Sequence, residues 1–164
     1  MPAWGPPPLR PFGLVLHHDG SWTHEGIPIR NARVRAAFDR CVRFLAPEQL
    51  FVVQLGRFRG VIEVEEAAFF VRDFDPATGA IRLSDGTSET LDPDTLRVSP
   101  RDGAWLCTTK RSLAPAGLLA RFSHAAWAEL ASALEGPEHA PRLRLAGRSV
   151  ALPASFVGAL EPGG

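Results

Sequence analysis

At 164 residues, the chain is long enough for one domain with a core of its own, or for two small subdomains. Its 18 Lys+Arg balance 18 Asp+Glu, which argues against a general nucleic-acid binder, because such a protein needs surplus cations to displace counterions from phosphates. No stretch approaches the roughly 18 consecutive apolar residues of a membrane span, and no apolar run at the N-terminus marks a signal peptide. Cys41 and Cys107 form no C-x-x-C pair, so the expected setting is the reduced cytoplasm.

Residues 1–13, "MPAWGPPPLRPFG", carry five prolines and read as an extended arm. "LVLHHDGSWTHEGIPI" then reads as a hairpin about Asp19-Gly20, a two-residue turn signal. That turn sets His17 opposite Trp22 and places Val15, His17, Trp22 and His24 on one face. Leu14, Leu16, His18, Ser21 and Thr23 share the other.

"NARVRAAFDRCVRFL" predicts a helix near 31–45 with Asn31 as its N-cap. Val34, Ala37, Phe38, Cys41, Val42 and Leu45 repeat at helical spacing and form its core stripe. Arg33, Arg40 and Arg43 flank the stripe as a solvated face. "FVVQL" and "GVIEV" predict strands around "GRFR", and D-P-A-T-G and Asp85-Gly86 predict turns. A second helix is expected near 115–134, from Pro115 through the stripe Leu119, Phe122, Ala126, Leu130, Ala133 and Leu134. A hairpin about Ala146-Gly147 follows.

The tetrapeptides "DGSW" (19–22) and "DGAW" (102–105) match, and each precedes a predicted helix and then a hairpin with Gly-Arg at its bend. This suggests an internal repeat whose halves pack together. The expected fold is α+β: two related β-rich subdomains, residues 14–98 and 99–164, each with hairpins and one main α-helix, on a shared core.

Four segments carry a resemblance to a known family: "DGSWTHEGIPI" before a helix, "VIEVEEAAFFV" after a strand, "WLCTTKR" leading to "LLARFSHAAWAEL", and the closing "LRLAGRSVAL". From about Leu14 to Pro153 the chain resembles the bacterial family of domain of unknown function 1285 (DUF1285). The resemblance implies an α+β protein of two related β-rich subdomains, each with a helix, and a link to signalling or regulation. It brings no catalytic residues with it.

The sequence holds no nucleophile elbow, P-loop, dinucleotide fingerprint or metal motif. The first functional expectation is therefore a non-catalytic module that binds a small molecule or a protein, with no cofactor, nucleic acid or membrane involved. Its candidate residues are Trp22 and His24 from the first half and Arg111 and Arg121 from the second, set around a cleft between the halves. The alternative is a metal-assisted hydrolase using His17, His24 and a carboxylate, Glu25 or Glu65. A small-anion pocket lined by arginines of the first helix is a third reading. Strand edges such as "VIEV" would allow a homodimer.

Overall fold

The computed structural model of the protein describes residues 10–161, so most of the proline-rich arm, Trp4 included, lies outside the described residues. The chain divides into two compact units, one ending at Ala68 and the other starting at Phe69.

The first unit holds β1 (Arg10–Leu16), β2 (Trp22–His24), β3 (Ile27–Pro28), α1 (Ala32–Cys41), β4 (Val42–Leu45), β5 (Leu50–Leu55) and β6 (Phe58–Val64). The strands form one sheet in the order β3-β2-β1-β6-β5-β4. Every neighbouring pair is antiparallel except β1 and β6, which run parallel at the centre.

The second unit continues with β7 (Phe69–Asp75), β8 (Ala80–Leu83), β9 (Ser88–Thr90), a 3-10 turn at Pro93–Thr95, β10 (Arg97–Val98), β11 (Trp105–Thr109) and β12 (Leu118–Phe122). Its sheet runs β10-β11-β12-β7-β8-β9, again with a central parallel pair, β7 and β12. After it come α2 (His124–Ser132), β13 (Leu134–Glu135), β14 (Arg142–Leu145), β15 (Arg148–Ala151) and α3 (Ala154–Leu160). Strands β13, β14 and β15 make a small third sheet.

The α+β class and the two similar β-rich units are as the sequence implies. The two six-stranded sheets share one topology, in which three strands step outward from the centre and three step back from the opposite edge. The two matching tetrapeptides do not occupy equivalent places in the two units. "DGSW" falls between β1 and β2, whereas "DGAW" falls between β10 and β11, a link whose counterpart in the first unit joins β4 to β5. The place of α1 is taken in the second unit by the 3-10 turn, and α2 and α3 both follow the sheet. The boundary also moves from near 98 to 68, because β7, β8 and β9 hydrogen bond into the sheet that holds β11 and β12.

Both predicted helices are shorter than their apolar stripes. Asn31 caps α1 as expected, its side chain accepting from the Arg33 and Val34 amides. The helix stops at Cys41, because Val42 and Phe44 alternate toward one face and pair with β5. Likewise Leu119 and Phe122 belong to β12, paired on one side with β11 and on the other with β7. Ser123 then caps α2 by accepting from the Ala126 amide. The hairpin at Ala146-Gly147 forms between β14 and β15, with both residues at positive φ as a type I′ turn requires.

Strand β11 is buried at all five positions. Trp105 is packed edge-on by Phe156 of α3. Thr109 Oγ1 donates to the Leu118 carbonyl, and Thr108 Oγ1 accepts from Arg97, so neither hydroxyl is buried unsatisfied. Burial, with Glu89 nearby, pushes the Cys107 thiol up to about 12, so this is a packing cysteine and not a nucleophile.

Candidate functional site

The stretch from His17 to Gly26 differs from the two-residue hairpin in one respect that changes every side chain's direction. Leu16, not His17, pairs with Trp22. The His17 amide donates to the Ser21 carbonyl, closing a longer loop, and Asp19 Oδ1 accepts from both the amide and the hydroxyl of Ser21. Those two bonds hold the Asp19 carboxyl below its ordinary value. A one-residue slip of register moves each side chain to the other face. Trp22 therefore joins Leu14 and Leu16 in the core at 1% exposure. Its Nε1 donates to Asp39 of α1 at 2.8 Å, and its ring meets Phe38 at 5.4 Å.

His17 lies on the opposite face from His24. Its Nδ1 meets Glu65 Oε2 at 3.0 Å, and its Nε2 meets Thr23 Oγ1 at 2.8 Å. A single tautomer satisfies both: Nδ1–H donates to the carboxylate and Nε2 accepts from the hydroxyl. His18 Nδ1 bonds the other carboxylate oxygen, and the His18 amide points to it as well. Glu65 is thus held on both oxygens, and His17 and His18 pull its carboxyl down to about 2.

Because the folded value is depressed, the stabilisation from this network is complete above the ordinary glutamate value of about 4.3. It declines as pH falls toward about 2. A carboxyl-carbon NMR titration should find Glu65 ionised through pH 4; a midpoint at the ordinary value would remove the network.

This geometry does not build the metal site of the alternative reading. His17 and His24 face apart, and the Glu25 amide is tied to the Gly13 carbonyl in an exposed turn. Glu65 joins His17 as a hydrogen-bond acceptor. Among the described residues, no group of three or more His, Cys, Asp or Glu could hold a metal ion.

Arg111 and Arg121 occupy opposite ends of the β11–β12 hairpin. Arg111 pairs with Asp92 at 3.1 Å in an exposed ion pair, and Arg121 pairs with Asp102 at 2.7 Å. Trp22 and His24 belong to the first unit and these two arginines to the second.

Sequence reasoning missed an exposed apolar row on the first sheet. Ile27 on β3 pairs with His24 on β2. The His24 ring stacks on Phe12 of β1 at 5.3 Å, and Phe12 meets Phe58 of β6 at 4.8 Å. Phe58 in turn pairs with Leu55 of β5. Ile27 is 70% exposed, Leu55 40% and Phe58 37%. The row crosses five adjacent strands at one end of the face whose other end is covered by α1 on Trp22.

Two local features build the row. The register of β1 on β6 shifts between Pro11 and Leu14, and Gly13 within that bulge has φ +68°. Gly60 leaves room for the two rings, since a Cβ there would lie 3.0 Å from Phe12 and 3.1 Å from Phe58. The sequence signal was the Phe-Gly of a bulge at Phe12-Gly13, which a reading of residues 1–13 as an arm passes over.

The fold is that of an α+β protein built on two like six-stranded mixed sheets, with no helix among the described residues long and apolar enough to cross a membrane. A crystal structure of a DUF1285 family protein from Silicibacter pomeroyi DSS-3 has this fold, with a TM-score of 0.60 at 20% identity, over 92% of this chain and 88% of that one. A DUF1285 family protein from Shewanella baltica OS155 aligns with a TM-score of 0.49 at 16% identity, over 73% of this chain and 91% of that one. No family model matches the chain, and no curated protein does.

Proposed function

We propose that the protein is a non-catalytic binding module with a regulatory role, and that the row Ile27–His24–Phe12–Phe58–Leu55 is its docking surface for a protein partner. The observation that carries this reading is the exposure of contiguous aromatic and aliphatic side chains on a sheet face whose remainder is core. Singly exposed apolar residues are ordinary, but a connected patch in a folded chain marks a surface built to be covered. Aromatic rings supply large contact area with little conformational entropy to lose. Four interstrand steps make the row about 19 Å long, a better match to a polypeptide segment than to a compact small molecule.

Of the residues singled out from sequence, His24 keeps a binding role in this reading. Trp22 is buried beside the row on the same sheet face, and Arg111 and Arg121 serve as structural ion pairs. The free thiols of Cys41 and Cys107 suit a cytoplasmic setting.

The test is site-specific photocrosslinking in the native cells, with benzoylphenylalanine placed at Phe58 or, as a remote exposed control, at Arg148. A discrete adduct from position 58 that disappears on Phe12→Ser, with none from position 148, is the expected result. An adduct of twice the chain's mass would make the partner a second copy. No adduct from position 58, or the same adducts from both positions, removes the reading.

A further inference from the structure

We infer that the outer face of α1 is a second docking surface, fitted to an acidic helical segment of a partner protein. From Gly26 to Pro47 the chain carries five arginines, Arg30, Arg33, Arg35, Arg40 and Arg43, against a single acid, Asp39. Asp39 is drawn inward, accepting from Trp22 Nε1. Arg43 is braced at the helix end, its Nη1 donating to the carbonyls of Arg40 and Val42. Arg30, Arg33 and Arg40 are exposed and Arg35 is half-buried. None of these four has a carboxylate partner among the described residues. Elsewhere in the chain Arg82, Arg111, Arg121, Arg144 and Lys110 each face an acid.

The helix itself is unusual for its setting. None of its ten residues is buried. Arg33 and Arg40 are seven residues apart, two helical turns or about 10.5 Å along one face. Between and beside them lie Ala32 and Ala36, both exposed. Small side chains flanked by long cations let a second helix lie close on the alanines while its carboxylates, also two turns apart, meet the guanidinium groups bidentately.

The same features disfavour other anionic partners. No exposed aromatic ring stands on this face to stack a nucleic-acid base, and the chain has no net positive charge for a long polyanion. An interfacial membrane helix needs bulky apolar residues beneath its cations, and this face offers alanine.

The face is separate from the aromatic row, so its test leaves Phe58 and Phe12 intact and neither result decides the other. The probe is a fluorescein-labelled alanine-rich peptide of about 20 residues, long enough to hold a helix, with glutamates at i and i+7. Binding to the full chain is read by anisotropy. The double variant Arg33→Glu/Arg40→Glu should weaken binding about tenfold or more, and Arg33→Gln/Arg40→Gln should fall between. Raising the ionic strength from about 0.01 to 0.15 M, which shortens the Debye length from about 30 to 8 Å, should weaken it as well. Both variants should melt with the parent, since the altered side chains are exposed.

Absence of peptide binding, or binding indifferent to both variants, overturns the inference. Tighter binding of a short RNA or of phosphatidylserine vesicles, lost in the same variants, would overturn it in favour of those partners.

Discussion

Trp22→Ala is expected to cost about 3–5 kcal/mol of unfolding free energy, the range for deleting a fully buried tryptophan. Trp22 is 1% exposed, lies opposite Leu16 in the first sheet and meets Phe38 across its ring. It also donates to Asp39, so the truncation leaves a cavity and takes a donor from a half-buried carboxylate. No residue of α1 is itself buried, so Phe38 and Asp39 meeting Trp22 are a large share of its hold on the sheet, beside its packing on β5. The helix should therefore loosen before the sheet does. Urea unfolding followed by far-ultraviolet circular dichroism reads the loss. Trp22→Phe, which keeps a ring and removes the N–H, should cost less than the alanine variant. A cost below about 1 kcal/mol for Trp22→Ala, the level of an ordinary exposed site, would contradict the burial described. His24 lies two residues further along the same strand, so Trp22→Ala should also disturb the aromatic row without touching it.

Trp22 shows how far the sequence could be read. Its place in a strand after the Asp-Gly turn is legible, but its strand partner, and with it the burial that overturns its reading as a binding residue, is not. Asp-Gly favours a tight turn, and His17 and His18 are polar on whichever face they take, so alternation leaves the register undecided by one residue. The Asp19–Ser21 bonds and the grip of Glu65 on both histidines decide it, and Glu65 is 47 residues from His18. The helix ends failed for a related reason. Val42 with Leu45 continues a helical stripe and Val42 with Phe44 makes a strand alternation, and pairing with β5 chooses between them. "LLARF" resolves the same way, once β12 lies beside β7 from 51 residues upstream. Local signals that need no partner, the Asn31 cap and the Ala146-Gly147 turn, read correctly. The aromatic row could not be assembled, because Phe12, His24 and Phe58 come together only through the central parallel pair of β1 and β6.

Exchanging Lys110 for methionine should destabilise the second unit by about 3–5 kcal/mol at neutral pH, the cost of stripping one member from a buried ion pair. Lys110 is the only lysine among 18 cationic residues. Its Nζ lies 2.7 Å from Asp85, with side-chain exposures of 10% and 5%. The ammonium also donates to Thr87 Oγ1 and sits 4.8 Å from the centre of the Phe69 ring. Its amide is committed to Glu89, and its φ is +54°. The compact ammonium reaches Asp85 and Thr87 from one point, and the longer guanidinium, with its donors fixed in a fork, cannot repeat both contacts in that enclosed space, so Lys110→Arg should fail to restore the parent stability.

The acid response should change sign between the two proteins. Burial by itself raises the Asp85 carboxyl, but the Lys110 ammonium with the Thr87 hydroxyl and amide outweighs it and holds the group below its ordinary value. In the parent, this stabilisation is present above about pH 3.9 and lost as pH falls through the depressed folded value. Without Lys110, burial prevails and Asp85 takes up a proton more readily folded than unfolded. The gap between parent and variant should then be widest near pH 7 and narrow toward pH 4. Asp85→Asn added to Lys110→Met should recover much of the loss, because the buried charge left alone is the larger part of the cost. Urea unfolding of the three proteins at both pH values measures this. A double variant no more stable than Lys110→Met at pH 7 would show that Asp85 carries no uncompensated charge.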